Sequence, residues 1–286
     1  MLKIGFIGAG IVGTALATLL SRNGYEVTCV SSRSRKSAKN LAKAVEGCNI
    51  MDTNQDVADA ADFVFITTPD DVIPRVVSRV KWRKRQSVVH CSGADSVEIL
   101  EPARKSGARV GGFHPLQTFA GIDQAIENIP GSTFVIESDE PLLTTLQDMA
   151  TALGGKWIQL KSKDKVAYHA AAVFACNYLV TLVKLSTDLW ETFRIPPDKA
   201  TAALLPLLRG TLNNIERLGI PRCLTGPIAR GDTGTVSKHL DMLKKKAPAL
   251  MAPYTEMGRQ TIPIALAKGK IDKKRSLELD KILKAS

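Results

Sequence analysis

Three glycines set between an apolar run and an alanine-rich segment constrain this chain more than anything else in it. Lys3–Ile7 runs apolar, as a parallel strand covered on both faces does. Gly8, Gly10 and Gly13 follow it as G-x-G-x-x-G, with Ala9, Ile11 and Val12 between them. In such a turn the first glycine permits the tight bend. The second lets a pyrophosphate approach the backbone, and the third lets the following helix pack against the strand. Thr14–Leu20 then reads as that helix, whose first turn offers unpaired N–H groups and a positive dipole end to an anion. The spacing predicts a dinucleotide site over Gly8–Gly13.

Strand and helix patterns alternate from there to about Leu160. Strands are expected at Glu26–Val30, Asp62–Thr67, Ser87–His90, Ser132–Glu137 and Lys156–Leu160, and helices at 37–45, 52–61, 72–80, 96–106 and 141–153. Such alternation builds a doubly wound parallel sheet. From Lys163 onward only helical patterns remain, beginning with one long helix over 166–191. The expected architecture is α/β: a Rossmann domain over 1–162 followed by an all-helical domain over 163–286, and 286 residues suit two domains.

A net charge of +11 and a pI of about 9.5 raise the question of nucleic acid. The chain has only three Trp, four Tyr and eight Phe, and its basic clusters (33–36, 81–85 and 244–246) hold almost no aromatics. We therefore expect a positive field that attracts small anions, and no nucleic acid. Five cysteines without a C-x-x-C argue against a disulfide framework or a zinc site, so no metal is expected and a reducing, cytoplasmic setting is. Four glycines within the first 13 residues argue against a signal peptide there. The apolar run 166–183 approaches membrane-spanning length, but His169, Asn177 and Thr181 point to a buried helix of a soluble domain and no membrane.

An NAD-binding chain places Asp or Glu about 20 residues past the glycines, on the ribose 2′-hydroxyl. Here Ser31, Ser32, Arg33 and Arg35 occupy that stretch and no acid does. Hydroxyls and guanidinium groups suit a 2′-phosphate, so the expected cofactor is NADP(H). Thr67, Thr68 and Pro69, and then Ser92 and Gly93, lie at strand carboxyl ends, where ligands of open sheets sit, and should border the nicotinamide.

The substrate is expected between the domains. On the long helix, His169 and Asn177 are eight residues apart and share a face if the helix is continuous. His169 is the candidate proton donor and Asn177 the residue that orients the carbonyl. His114, before Pro115, is a second candidate on a loop at a strand end. Arg230 is a candidate for gripping a substrate carboxylate, and Asp232 either joins it or caps the next helix. His90 reads as structural, Cys91 as inert and His239 as packing.

GFIGAGIVGTALA, FITTPDDVI, HCSGADS, GGFHPLQTF, YHAAAVFACNYLVTL and TGPIARGDTGTVSKHL together resemble the Rossmann-like proteins with a DUF2520 domain, within the superfamily with 6-phosphogluconate-dehydrogenase-type C-terminal domains. The resemblance implies a nicotinamide-dependent oxidoreductase, often a homodimer built through its helical domain. More distantly, the long helix is similar to that of ketopantoate reductases, in which a catalytic Lys is followed by two Asn at four-residue steps. Laid on that pattern, Asn177 matches the second Asn, Val173 replaces the first and His169 replaces the Lys. The reading is NADPH-dependent reduction of a small carboxylate-bearing 2-oxo acid, ketopantoate first. A cyclic-imine reductase of the pyrroline-5-carboxylate type and a non-catalytic NADP(H) sensor are the rivals.

Overall fold

The structure is a computed structural model and describes residues 2–285. Contacts divide it into two compact units, 1–176 and 177–286. The first unit holds an eight-stranded sheet: β1 (Lys3–Ile7), β2 (Glu26–Ser31), β3 (Asn49–Ile50), β4 (Phe63–Ile66), β5 (Ser87–His90), β6 (Arg109–Leu116), β7 (Thr133–Ser138) and β8 (Lys156–Gln159). The spatial order is β3-β2-β1-β4-β5-β6-β7-β8, and every pairing is parallel except β6 with β7. Helices α1 (Ile11–Arg22), α2 (Arg35–Ala44), α3 (Asn54–Ala60), α4 (Ile73–Arg79), α5 (Glu101–Lys105), α6 (Ile122–Asn128) and α7 (Leu142–Ala152) fill the connections, and α8 (Lys165–Ala175) closes the unit.

The sheet has one apolar core on each face. Leu16, Leu20, Leu41, Ala125 and Leu146 of α1, α2, α6 and α7 cover one, and Val57, Val76, Val77 and Ala103 of α3–α5 cover the other. A row of rings crosses the first face. Phe6 stacks on Phe65 (centroids 5.1 Å apart), Phe65 meets Phe113 (6.0 Å), and Phe113 stacks on Phe134 (4.5 Å). All four are fully buried, each contributing about 1.5–3 kcal/mol from its removal from water. The basic segment after α4 is partly structural. Arg83 donates to the Ala61 carbonyl (2.6 Å) and to Asp59, and Gln86 Nε2 donates to Ala58 and Ala61 (2.7 and 2.8 Å), satisfying the last carbonyls of α3.

The second unit is helical: α9 (Asn177–Glu191), α10 (Pro197–Leu218), α11 (Pro227–Arg230), α12 (Thr233–Lys246), α13 (Met251–Ala267) and α14 (Lys273–Lys284). Val236, Leu240, Ile262, Leu279 and Leu283 form its core. His239 Nδ1 bonds the Tyr254 hydroxyl at 2.7 Å, a packing role.

The structure corrects four expectations. The boundary lies at 176–177 rather than 162, because the first turns of α8 bond into the sheet unit. The helix expected over 166–191 is interrupted at Cys176 (φ −113°, ψ −64°). It is also exposed rather than buried: none of its most apolar 18-residue window is buried, and the run 162–191 is long and apolar enough to cross a membrane by length and composition alone. His114 lies inside a strand, not on a loop, because β6 continues past Pro115 as the antiparallel partner of β7. β5 pairs with β6 only as far as Gly112, so Pro115, which lacks an N–H, sits where one edge of β6 is open.

Candidate active site

The glycine turn holds the three geometries that its spacing requires. Gly8 has φ +109°, and a Cβ there would lie 2.7 Å from the Thr67 backbone. Gly10 faces open space, with nothing within 4 Å of a Cβ placed on it. A Cβ on Gly13 would meet the Gly8 carbonyl at 2.7 Å. Thr67 closes the turn from β4 by donating its hydroxyl to the Gly8 carbonyl (2.8 Å). Gly10 caps α1 without a side chain, so the first N–H groups of that helix stay open to a ligand.

A cavity of about 680 Å³ opens in front of this turn. Gly8, Ala9, Gly10, Ser31, Ser32, Arg33, Thr67, Thr68 and Pro69 line it, together with Arg75 and Arg79 of α4. Ile11 and Val12 instead pack on the core at the head of α1, and Gly13 supports the turn from behind. Ser31 is buried and its hydroxyl is engaged with Asn54 Oδ1 (2.8 Å). Arg35 does not line the cavity: it starts α2 and pairs with Asp52 at 3.4 Å. Thr68 Oγ1 is buried without a protein partner. An open glycine, uncapped N–H groups, an orphaned hydroxyl and guanidinium groups on one cavity wall fit a phosphorylated dinucleotide.

A second polar cluster is built around Ser92, just past β5. Its N–H donates to His90 Nδ1 (3.1 Å), and its carbonyl accepts from Lys165 Nζ (3.0 Å). Its hydroxyl lies 2.8 Å from Asp70 Oδ2 and 3.1 Å from Asp95 Oδ2. Because the N–H of Ser92 occupies Nδ1, His90 carries its proton on Nε2, and burial pushes its pKa down to about 3. Asp70 stands next to Pro69, so one hydrogen bond joins the cavity wall to this cluster.

Lys165 opens α8 and is 1% exposed. Burial holds its pKa below the ordinary lysine value, while Glu137, Cys91, Asp95 and Asp70 pull it back up. Among the described residues Lys165 forms no ion pair. Glu137 of β7 fixes the start of this helix: it accepts from Ser96 Oγ (3.1 Å), the Val97 N–H (3.2 Å) and Ser162 Oγ (2.6 Å). One turn along α8, the Tyr168 hydroxyl bonds His114 Nδ1 at 2.7 Å, and the His114 and His169 rings meet edge-on at 6.5 Å. Gly93 lies under both rings: a Cβ there would come within 2.8 Å of His114 Nε2 and 3.1 Å of His169 Cδ2. Burial, then Lys165 and His169, push the His114 pKa down to about 4, so its ring is neutral at physiological pH. Burial raises the Cys91 thiol to about 12, so it stays protonated at physiological pH.

Residues 1–115 match the Rossmann-like domain family, and residues 132–261 match the DUF2520 family, a domain of unknown function. The chain belongs to the Rossmann-like proteins that carry a DUF2520 domain. A structure from Bacteroides fragilis, assigned as that of an NADP oxidoreductase, superposes with a TM-score of 0.75 at 27% identity, over 92% of this chain and 98% of its own. Glycerol-3-phosphate dehydrogenase [NAD(P)+] of Syntrophotalea carbinolica is 30% identical over 165 residues, which cover 51% of this chain and 50% of that protein. The 2-hydroxy-3-oxopropionate reductase of Escherichia coli is 28% identical over 169 residues, covering 54% and 55%. The chain thus spans about half the length of these two curated relatives. The similarity to an NADP oxidoreductase supports NADP(H) binding by this DUF2520 protein, and the glycine-turn cavity has the chemistry that such a cofactor needs.

His114, His169, Ser92 and Gly93 come together in the second cluster. Asn177, Arg230 and Asp232 belong to the second unit. The interruption at Cys176 removes the continuous helix on which the shared face of His169 and Asn177 depended. Asp232 is the N-cap of α12: it accepts from the Thr235 N–H (2.9 Å) and hydroxyl (2.7 Å), and Arg230 is exposed. Sequence reasoning missed Lys165, Tyr168, Glu137, Arg75 and Arg79. The signal for Lys165 was its place four residues before His169, which puts both on one face of α8.

Proposed function

We propose that this protein is an NADPH-dependent oxidoreductase that reduces a small carboxylate-bearing 2-oxo acid, with ketopantoate the first candidate. The observation that carries the reading is the buried amine of Lys165, held on the Ser92 carbonyl beside His114 and His169. The bound cofactor supplies a hydride to the carbonyl carbon. As charge then develops on the carbonyl oxygen, a nearby ammonium stabilises it and gives up a proton. The lowered pKa of Lys165 eases that transfer. This role moves to Lys165 from His169, whose ring and that of His114 flank the Ser92–Gly93 loop and orient the substrate. A positive chain of net charge +11 favours an anionic acid in its encounter.

Lys165 also speaks against the cyclic-imine reading. A protonated imine is a cation before hydride arrives, and a buried ammonium beside it repels it. Ketopantoate offers an oxygen that gains charge instead. The test is NADPH oxidation with ketopantoate, other 2-oxo acids and pyrroline-5-carboxylate. Turnover confined to the 2-oxo acids supports the reading, and turnover of the imine alone overturns it. NADPH binding with no turnover across the panel would favour the sensor.

The helical unit is proposed to dimerise. Val180 of α9 and Leu207 and Leu212 of α10 are 70%, 66% and 55% exposed, more apolar surface than an isolated soluble domain needs to show water. A second copy covering these faces predicts a dimer by light scattering in solution. We place the protein in the cytoplasm, where its five free thiols stay reduced.

A further inference from the structure

We propose that Arg75 and Arg79 of α4, together with Arg33 of the β2–α2 connection, form the recess that holds the cofactor's 2′-phosphate, and that the two α4 arginines set the preference for NADP(H) over NAD(H). The inference rests on the NADP(H) reading of the cavity and assigns its discrimination to residues outside the stretch that follows β2.

Three observations carry it. First, all three guanidinium-bearing residues line the same cavity as Gly8 and Gly10. Second, none of the three forms an ion pair or a side-chain hydrogen bond among the described residues, although eight such pairs are made elsewhere. Arg35, by contrast, is not a lining residue and pairs with Asp52, an acid at the cavity's edge. Third, Arg75 and Arg79 are four residues apart on a seven-residue helix, so their charges share one face. Like charges at that spacing destabilise a helix unless an anion lies between them. Neighbouring Val72 and Val76 line the cavity too, so this segment offers apolar surface for a base next to its cations. A dianionic phosphate answers three unpaired forks at once, where a ribose hydroxyl would leave them unpaired.

The experiment is fluorescence titration of the full chain with NADPH and with NADH, for the parent and for Arg75→Gln, Arg79→Gln and the double variant. Arg75→Lys with Arg79→Lys keeps charge without the fork, and Arg104→Gln controls for loss of one distant positive charge. The double Gln variant is expected to weaken NADPH at least about tenfold while changing NADH less than about twofold, with the double Lys variant between it and the parent. Arg104→Gln is expected to leave both unchanged. Equal weakening of NADPH and NADH in the double Gln variant overturns the proposal, and so does unchanged NADPH binding. A parent chain that binds neither nucleotide is a different failure, that of the NADP(H) reading itself.

Discussion

Replacing Lys165 with methionine separates proton donation from cofactor binding. Methionine keeps the length of the side chain and its burial, so the head of α8 retains its packing. The substitution strands the Ser92 carbonyl, now 3.0 Å from an amine, at a cost of about 1–3 kcal/mol. It also removes a buried ammonium, which offsets part of that cost. The melting temperature should therefore move by only a few degrees. Loss of a positioned general acid costs about 10²–10⁴ in rate, so kcat should fall by that factor. NADPH affinity should stay within about twofold, because Lys165 does not line the dinucleotide cavity. The pH dependence has a definite sign. The donor works only when protonated and its pKa is held down, so parental kcat should fall as pH rises through a value below 10.5. The variant should lose that alkaline limb. Stability follows the opposite course: between the lowered folded pKa and 10.5 the unfolded chain binds more protons at this site, so parental stability rises with pH across that window and the Met variant lacks the rise. The assay is NADPH oxidation against pH with the best 2-oxo acid, beside thermal melts. A Met variant with parental kcat and an unchanged alkaline limb would refute the assignment.

The glycine turn, the ring cluster and the head of α8 each yield a further test. Gly10→Ala meets no protein atom within 4 Å, so it should leave the melting temperature unchanged and weaken NADPH about tenfold or more, whereas Gly13→Ala pushes on the Gly8 carbonyl and should lower the melting temperature by several degrees; paired melts and titrations distinguish them. Gly93→Ala drives a methyl against His114 and His169, so kcat should fall about 10- to 100-fold with NADPH affinity intact, measured by steady-state kinetics. Glu137→Ala leaves Ser96, Val97 and Ser162 without their shared acceptor and should cost about 2–4 kcal/mol in denaturant unfolding.

The readable parts of this chain are those whose physics is local. A glycine that must adopt φ +109°, or that must leave space for a ligand, is dictated by its own turn, and so Gly8, Gly10 and Gly13 could be assigned from spacing. Lys165 could not. Lys161, Lys163 and Lys165 lie in one short stretch of sequence, and only the fold decides that the third is 1% exposed while the first two are exposed. Arg35 and Arg75 show the same asymmetry. Arg35 stood where a 2′-phosphate ligand belongs along the chain but was captured by Asp52, 17 residues away. Arg75 looked like an ordinary helix-surface charge until the fold set it on the cavity wall. Apolarity alone foretold burial for 166–191, but it does not say what does the covering: among the described residues, none of the most apolar 18-residue window is buried.

Ser92 shows how the two halves of the site are joined. Its N–H, carbonyl and hydroxyl are committed respectively to His90, Lys165, and the carboxylates of Asp70 and Asp95. A hydroxyl held between two carboxylates, with no free imidazole to take its proton, is a poor nucleophile, so acyl-transfer chemistry does not suit this serine. What it can do is transmit position. Asp70 follows Pro69 on the cofactor wall, and Lys165 hangs from the same residue that Asp70 holds. The amine of Lys165, the donor in the proposed reaction, is therefore two hydrogen bonds from Asp70, the residue that follows the Thr67–Pro69 wall of the cavity. If the proposed chemistry holds, seating a cofactor against Thr67–Pro69 and aiming the amine at the substrate are constraints on one loop.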